Sequence, residues 1–308
     1  MKYRWKITSI LIGMFLVAQL IGLYVAYVYA PESIQVLNQT SGELENKTAY
    51  HIPYGMAPPE DVEPTASVTS ILIALAIAVS LMLLLMRLKA EVFLRGWFFL
   101  VVIIGIALAL NAFFYGLPYA SLVSLIIAAP LAYLKIFKRN MYAHNGTELV
   151  IYPGIASVFI PLLSIPSALI LLVLISAYDM YAVWHVGFMQ EMARYQIETL
   201  RLFSGFFIPY IGKKERIALQ RAKAAGNKNK KVPVHIAILG GGDIVFPIII
   251  AGLVLQAWGL VPALIVTLGA TLGLTFLFYI SKKGKFYPAM PFITVGIFIG
   301  LAIAYIIR

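Results

Sequence analysis

The feature that most constrains this 308-residue chain is a series of long apolar runs nearly free of charge, each close to the length a helix needs to cross a bilayer. The hydrocarbon layer is about 30 Å thick, so roughly 20 apolar residues rising 1.5 Å each will span it. Nine runs are read: Ile7–Ala30, Ser67–Met86, Trp97–Tyr115, Tyr119–Leu134, Leu149–Ser164, Ile165–His185, Val234–Ala257, Leu260–Ile280 and Pro291–Ile307. In lipid every backbone N–H and C=O must be satisfied within the protein, and runs of this length select helices over barrel strands. The fourth and fifth runs are short, which a bundle interior or a locally thinned bilayer accommodates. The predicted fold class is all-α, a polytopic membrane protein with nine transmembrane helices. A 61% hydrophobic composition with only 12% charged residues agrees with this. With no Cys, disulfides, zinc–thiolate sites and thiol nucleophiles are excluded.

The first run follows basic Met1–Lys6, and Val28-Tyr29-Ala30 looks like a cleavage site. The run is too long for a typical signal peptide, and Pro31 follows the proposed cut, so an uncleaved anchor is expected. The net charge of +11 would suggest nucleic-acid binding in a soluble chain, but its distribution gives a different account. In a nine-span layout, 22 of the 24 Lys and Arg fall on one side, and only Lys47 and Arg308 fall on the other. The positive-inside rule then places the N-terminus in the cytoplasm and the C-terminus outside. No nucleic-acid partner is expected; the basic residues face anionic lipid. The loop Pro31–Ala66 shows the complement, with six acids, one Lys and N-x-T sequons at Asn38 and Asn46. Their glycosylation is left open, since a third sequon at Asn145 falls on the cytoplasmic side.

The chain is read as one membrane domain in three parts: residues 1–186 with six helices, a loop over 187–232, and residues 233–308 with three helices. Within the loop, Gly187–Phe203 has helix-like apolar spacing, and Lys213–Lys231 reads as a flexible basic stretch.

Two acids, Asp179 in the sixth run and Asp243 in the seventh, sit deep in apolar sequence. A carboxylate at mid-membrane costs roughly 2.5–3.5 kcal/mol, so each is a functional residue by default. Asp179 lies six residues before the cytoplasmic end of its run, about 9 Å along a helix. Asp243 lies ten residues after Pro233, about 15 Å if that stretch is helical. Depths within about a turn let the carboxyls face each other. Two carboxyls that close share a proton; one takes a proton from water while the other polarises a carbonyl. Which one holds the proton belongs to the pair.

The surroundings fit that chemistry. Gly240-Gly241-Gly242 lets a backbone approach closely before Asp243. Val232, Val234, Ile236 and Ile238 alternate with a period of two, suiting an extended segment. Pro288-Ala289-Met290-Pro291 opens the last run. Tyr178-Asp179, Gly240-Gly241-Gly242-Asp243 and Pro288-Ala289-Met290, in this order on these runs, resemble the YD, GxGD and PAL motifs of the presenilin and signal peptide peptidase family. Met290 stands where that family usually has Leu.

The resemblance implies a presenilin-like bundle that hydrolyses peptide bonds of transmembrane helices. Asp179 and Asp243 would be the catalytic pair, with Tyr178, Gly240, Gly241 and Gly242 shaping the site. Pro288, Ala289 and Met290 would hold substrate, and so would Val234, Ile236 and Ile238 by strand addition. No cofactor or metal is implied. The inferred orientation is similar to that of presenilins, so substrates with the N-terminus outside are expected. The wording Asp243-Ile244-Val245-Phe246-Pro247 looks closer to signal peptide peptidases, and the short chain resembles archaeal-type homologues acting without obligate partner subunits.

Other chemistries fare less well. No His-Glu-x-x-His is present, the four His are scattered, and no Gly-x-Ser-x-Gly supplies a serine nucleophile. Prepilin-type peptidases share the GxGD element but lack PAL and nine spans. The alternative from another class is an ion- or proton-coupled transporter or channel using the same two carboxylates. Against it, no pair of broken segments repeats between the halves of the chain.

Overall fold

The computed structural model describes residues 5–37, 44–58, 64–138, 140–183, 204–210, 235–281 and 287–308. Among the described residues the chain forms nine α-helices: α1 (Trp5–Val28), α2 (Pro64–Arg87), α3 (Glu91–Phe113), α4 (Ala120–Phe137), α5 (Met141–Phe159), α6 (Ile165–Tyr181), α7 (Gly242–Trp258), α8 (Leu260–Ile280) and α9 (Met290–Ile307). Two two-stranded sheets accompany them, β1 (Glu32–Leu37) with β2 (Leu44–Ala49), and β3 (Gly205–Tyr210) with β4 (His235–Gly240). Five helices, α1, α3, α4, α8 and α9, are long and apolar enough to cross a membrane by themselves. The protein is a multi-pass integral membrane protein. Its outer faces are apolar, as lipid requires: Ile73, Ile77, Leu81 and Leu84 on α2 and Leu268, Leu272 and Phe276 on α8 are all exposed.

Three helix starts lie six or more residues before or after those expected: α3 begins at Glu91 rather than Trp97, and the other two matter for the site. The fifth helix begins at Met141 rather than Leu149, because Asn140 caps it: its side-chain oxygen accepts from Tyr142 N at 2.9 Å and Ala143 N at 3.4 Å. Glu148 is therefore inside a helix and buried, a third acid within the bundle besides the two expected. The seventh helix begins at Gly242 rather than Val234, since residues 235–240 are a strand. The depth reckoned for Asp243 along a helix from Pro233 is corrected accordingly; Asp243 stands in the first turn of α7. α5 gives way to a 3₁₀ turn at Ile160–Leu162, and Ser164 opens α6 through a capping box with Ser167.

At the centre, α1 packs against α5 and α7, with Leu11, Phe15 and Ala18 fully buried. Gln19 of α1 is also buried, and its side-chain amide donates to the Ile244 carbonyl at 3.0 Å, tying α1 to the first turn of α7. α8 and α9 pack closely through small residues, Gly269 and Gly273 against Gly296 and Gly300; a Cβ on Gly300 would lie 3.0 Å from the Ile265 carbonyl oxygen. α2 lies at the periphery, against α6 and α3.

The β1–β2 hairpin occupies the acidic loop after α1, in register from Glu32↔Ala49 to Leu37↔Leu44. No strand was expected there. The segment that follows is fastened to the bundle at Tyr54, whose hydroxyl donates to the Ser121 carbonyl at 2.7 Å. In the remaining loop, Gly187–Phe203 and Lys213–Lys231 lie outside the described residues. Between them β3 is ordered structure where only a connection was expected, pairing with β4 from Gly205↔Gly240 to Tyr210↔His235.

Candidate active site

Four pieces of backbone converge at one end of the bundle: the last turn of α6, the first turn of α7, the first turn of α9 and the end of β4. α6 stops at Tyr181, so Asp179 is held by its last turn. The carboxylate faces the start of α9, where Oδ2 accepts from the Met290 N–H at 3.1 Å and the Ala289 amide also hydrogen-bonds to it. A helix leaves its first N–H groups without partners, and an acid placed there satisfies them. Asp179 thus acts as a cap delivered from another helix. Pro288 and Pro291 have no N–H, so the donors at this helix start are the amides between them. This gives the Pro-Ala-Met-Pro segment its physical meaning; Pro288 and Met290 are themselves buried.

Asp243 stands in the first turn of α7, hydrogen-bonded to the backbone of Gly240, and its carboxyl interacts electrostatically with that of Asp179. The three glycines are used unequally. A Cβ on Gly240 would sit 3.2 Å from Asp243 Oδ2. On Gly241 it would meet the Tyr152 ring at 2.8 Å and Ser204 Oγ at 3.0 Å. On Gly242, which is exposed, the nearest atom would be in the Phe246 ring at 3.8 Å. The middle glycine is the one whose side-chain space is already taken.

β4 leads into these glycines. Ala237 and Leu239 are buried on one face while Ile236 and Ile238 are exposed on the other, the period of two expected of a half-buried strand. One edge of β4 carries β3; the other has no partner strand among the described residues. Tyr178, beside Asp179, is exposed, and Val234 lies outside the described residues.

The site also includes residues that sequence reasoning passed over. Glu148 of α5, 1% exposed, pairs with Lys135 of α4 and with His144 one turn before it. Lys135, counted from the sequence among the charges of the cytoplasmic side, has its side chain buried in this pair. Tyr152, a further turn along α5, is fully buried edge-on to Phe206 of β3 and near enough to Glu148 and Asp243 to feel both charges. The available signal was an acid at the margin of an apolar run; starting that run at Leu149 left Glu148 just outside it.

The family profile described as “Signal-peptide peptidase, presenilin aspartyl protease” matches residues 53–308. The chain belongs to that family. It is an intramembrane aspartyl protease. Two solved structures of a presenilin family intramembrane aspartate protease share the fold. The one in the C222 space group has a TM-score of 0.61 at 19% identity, covering 98% of this chain and 99% of that one. The one in the P2 space group has a TM-score of 0.58 at 19% identity, covering 97% of each chain. No curated relative matches the chain. The transporter alternative finds no support among these comparisons.

Proposed function

We propose that Asp179 and Asp243 are the catalytic pair of this intramembrane protease, sharing one proton between them. The observation that carries the reading is the placement of Asp179 in the last turn of α6 and Asp243 in the first turn of α7, near enough for their carboxyls to interact electrostatically, beside the end of a strand with no second partner among the described residues. The ionised member removes a proton from water as the oxygen attacks the scissile carbonyl carbon; the protonated member donates to the carbonyl oxygen. Collapse of the gem-diol breaks the C–N bond, and a carboxyl returns a proton to the leaving amine. The amides of Met290 and Ala289 orient Asp179, and the backbone of Gly240 orients Asp243. Asp179 is close to the end of α6 and Asp243 close to the start of α7, so water has a short path to the pair from that end of the bundle.

A helical substrate hides its amides in its own hydrogen bonds and must unwind to be cut. Adding the unwound stretch to the open edge of β4 would replace those bonds, with Ile236 and Ile238 beside it and Pro288, Ala289 and Met290 at the far end of the site. Val234 is proposed as a further contact for the substrate. Tyr178 and Gly242, both exposed near the pair, line the approach. The sided distribution of Lys and Arg supports a cytoplasmic N-terminus and an outside C-terminus, which would select substrates whose N-terminus is outside, and the proposed reaction calls on no partner subunit.

The test is cleavage of a reporter transmembrane helix by purified protein in liposomes. Asp179→Ala and Asp243→Ala each lower the rate roughly 10²- to 10⁴-fold, the span removed with a general acid or base. Full cleavage by either variant would refute the pair. Terminal tags probed on intact cells check the orientation, and an N-terminal tag reactive from outside would reverse it.

A further inference from the structure

The stripe on α5 that faces β3 has no part in the reaction as described so far. His144, Glu148 and Tyr152 are four residues apart and so share one face of the helix, with Asn145 beside them. All four meet β3 or its neighbours. Asn145 grips Phe207 at both of its backbone groups: its side-chain N–H donates to the Phe207 carbonyl at 2.9 Å, and its oxygen accepts from the Phe207 N–H at 3.1 Å. Gly205 is held in the same way by two residues. Its N–H donates to Glu148 Oε1 at 3.3 Å, and its carbonyl oxygen lies 2.9 Å from His144 Nε2.

In an antiparallel strand the N–H and C=O of one residue point to the same side, and neighbouring residues alternate. Gly205 and Phe207 therefore present their backbone groups to α5, while Phe206 presents its own toward its partner Leu239 on β4. Side chains of a helix take the place that a third strand would fill. A buried carboxylate in such a position needs a counter-charge, which Lys135 supplies from α4. The amide of Asn145, formally a sequon residue, is fully engaged in this contact.

We infer that Asn145 and Glu148 are positioning residues for proteolysis: by closing the outer edge of β3 they leave β4 as the strand that receives substrate and fix where Gly240–Asp243 stands against it. The inference rests on the reading of Asp179 and Asp243 as the catalytic pair. Its physical content is registration. β3 fixes β4, Gly205 pairs with Gly240, and Tyr152, next along the α5 stripe, seats Gly241. A looser β3 shifts the peptide bond presented to the carboxyls as well as slowing the reaction.

The experiment uses the full chain in liposomes and a reporter transmembrane peptide, with rate and product masses both read. Asn145→Asp is nearly isosteric, so it leaves packing intact while exchanging the donor to the Phe207 carbonyl for a second oxygen. It is expected to lower kcat about tenfold, as a displaced site does, and to spread cleavage over neighbouring bonds. Glu148→Gln keeps an oxygen to accept the Gly205 N–H and is expected to retain the wild-type product pattern, whereas Glu148→Ala is not. A purely structural role would lower thermal stability and activity together with the products unchanged. Wild-type rate and product masses in Asn145→Asp, or loss of activity in step with stability at unchanged masses, overturn the inference while the catalytic reading stands. A wild-type protein yielding no product overturns both.

Discussion

The two sheets among the described residues have the same size and opposite characters. Each is an antiparallel pair in register over six residues. β1–β2 closes over residues 38–43 alone, and Glu32 through Gln35 are exposed. The strands of β3–β4 are separated by residues 211–234, four times as many. This sheet is held by burial: Phe206, Ala237 and Leu239 belong to the main core, and α5 side chains satisfy the outer backbone of β3. A hairpin joined by a short loop can form from local contacts. A pair whose strands lie far apart in the chain is held by the bundle it packs against, and its geometry is correspondingly set there. The second sheet is the one attached to Asp243.

This contrast can be broken at three places. The largest effect is expected at Gly241, where any side chain must enter space held by Tyr152 and Ser204. Gly241→Val moves the start of α7 from the pair, and cleavage is expected to fall about 100-fold, the penalty of an ångström-scale misplacement. Thermal melting should show the bundle still folded; wild-type cleavage would mean the glycine segment yields without moving Asp243. Next is Phe206, which has no exposed surface. Phe206→Ala costs roughly 3–5 kcal/mol where a core aromatic is lost, here concentrated in the β3–β4 sheet. Hydrogen exchange should rise in residues 204–210 and 235–240 before it rises in α8 and α9. Uniform loss of protection would show that the sheet is no separate unit. The smallest effect is expected in the hairpin: Ile34 is exposed, so Ile34→Lys should change stability by less than about 0.5 kcal/mol and leave the cleavage rate untouched. A tenfold loss there would give β1–β2 a share in catalysis and erase the contrast.

How far the chain could be read beforehand follows the same division. The α8 run was placed at its observed ends, and α1, α2, α4 and α9 within a few residues, because a lipid-spanning helix must be apolar throughout and satisfy its own backbone. Asp179, Asp243, the three glycines and the Pro-Ala-Met segment stood out for the same reason, as exceptions in an apolar background. The alternation through Ile236 and Ile238 correctly announced an extended segment, yet the seventh helix was still begun at Val234, since an apolar strand and an apolar helix start look alike. β3 was invisible. Gly205–Tyr210 has no alternation of its own, and its partner lies beyond a long basic stretch. Glu148 was missed because a helix capped by Asn140 begins in polar sequence.

The sequence by itself determined the membrane bundle, the nine helices found among the described residues and two of the acids within them, because each is dictated by the cost of placing polar groups in hydrocarbon. The tertiary structure alone decided that Asp179 caps α9, that Gly241 rather than Gly242 is sterically confined, and that α5 closes the edge of β3. Those are contacts between residues distant in the chain, made by directional hydrogen bonds and by the exclusion of one atom by another. Neither leaves a period in the sequence.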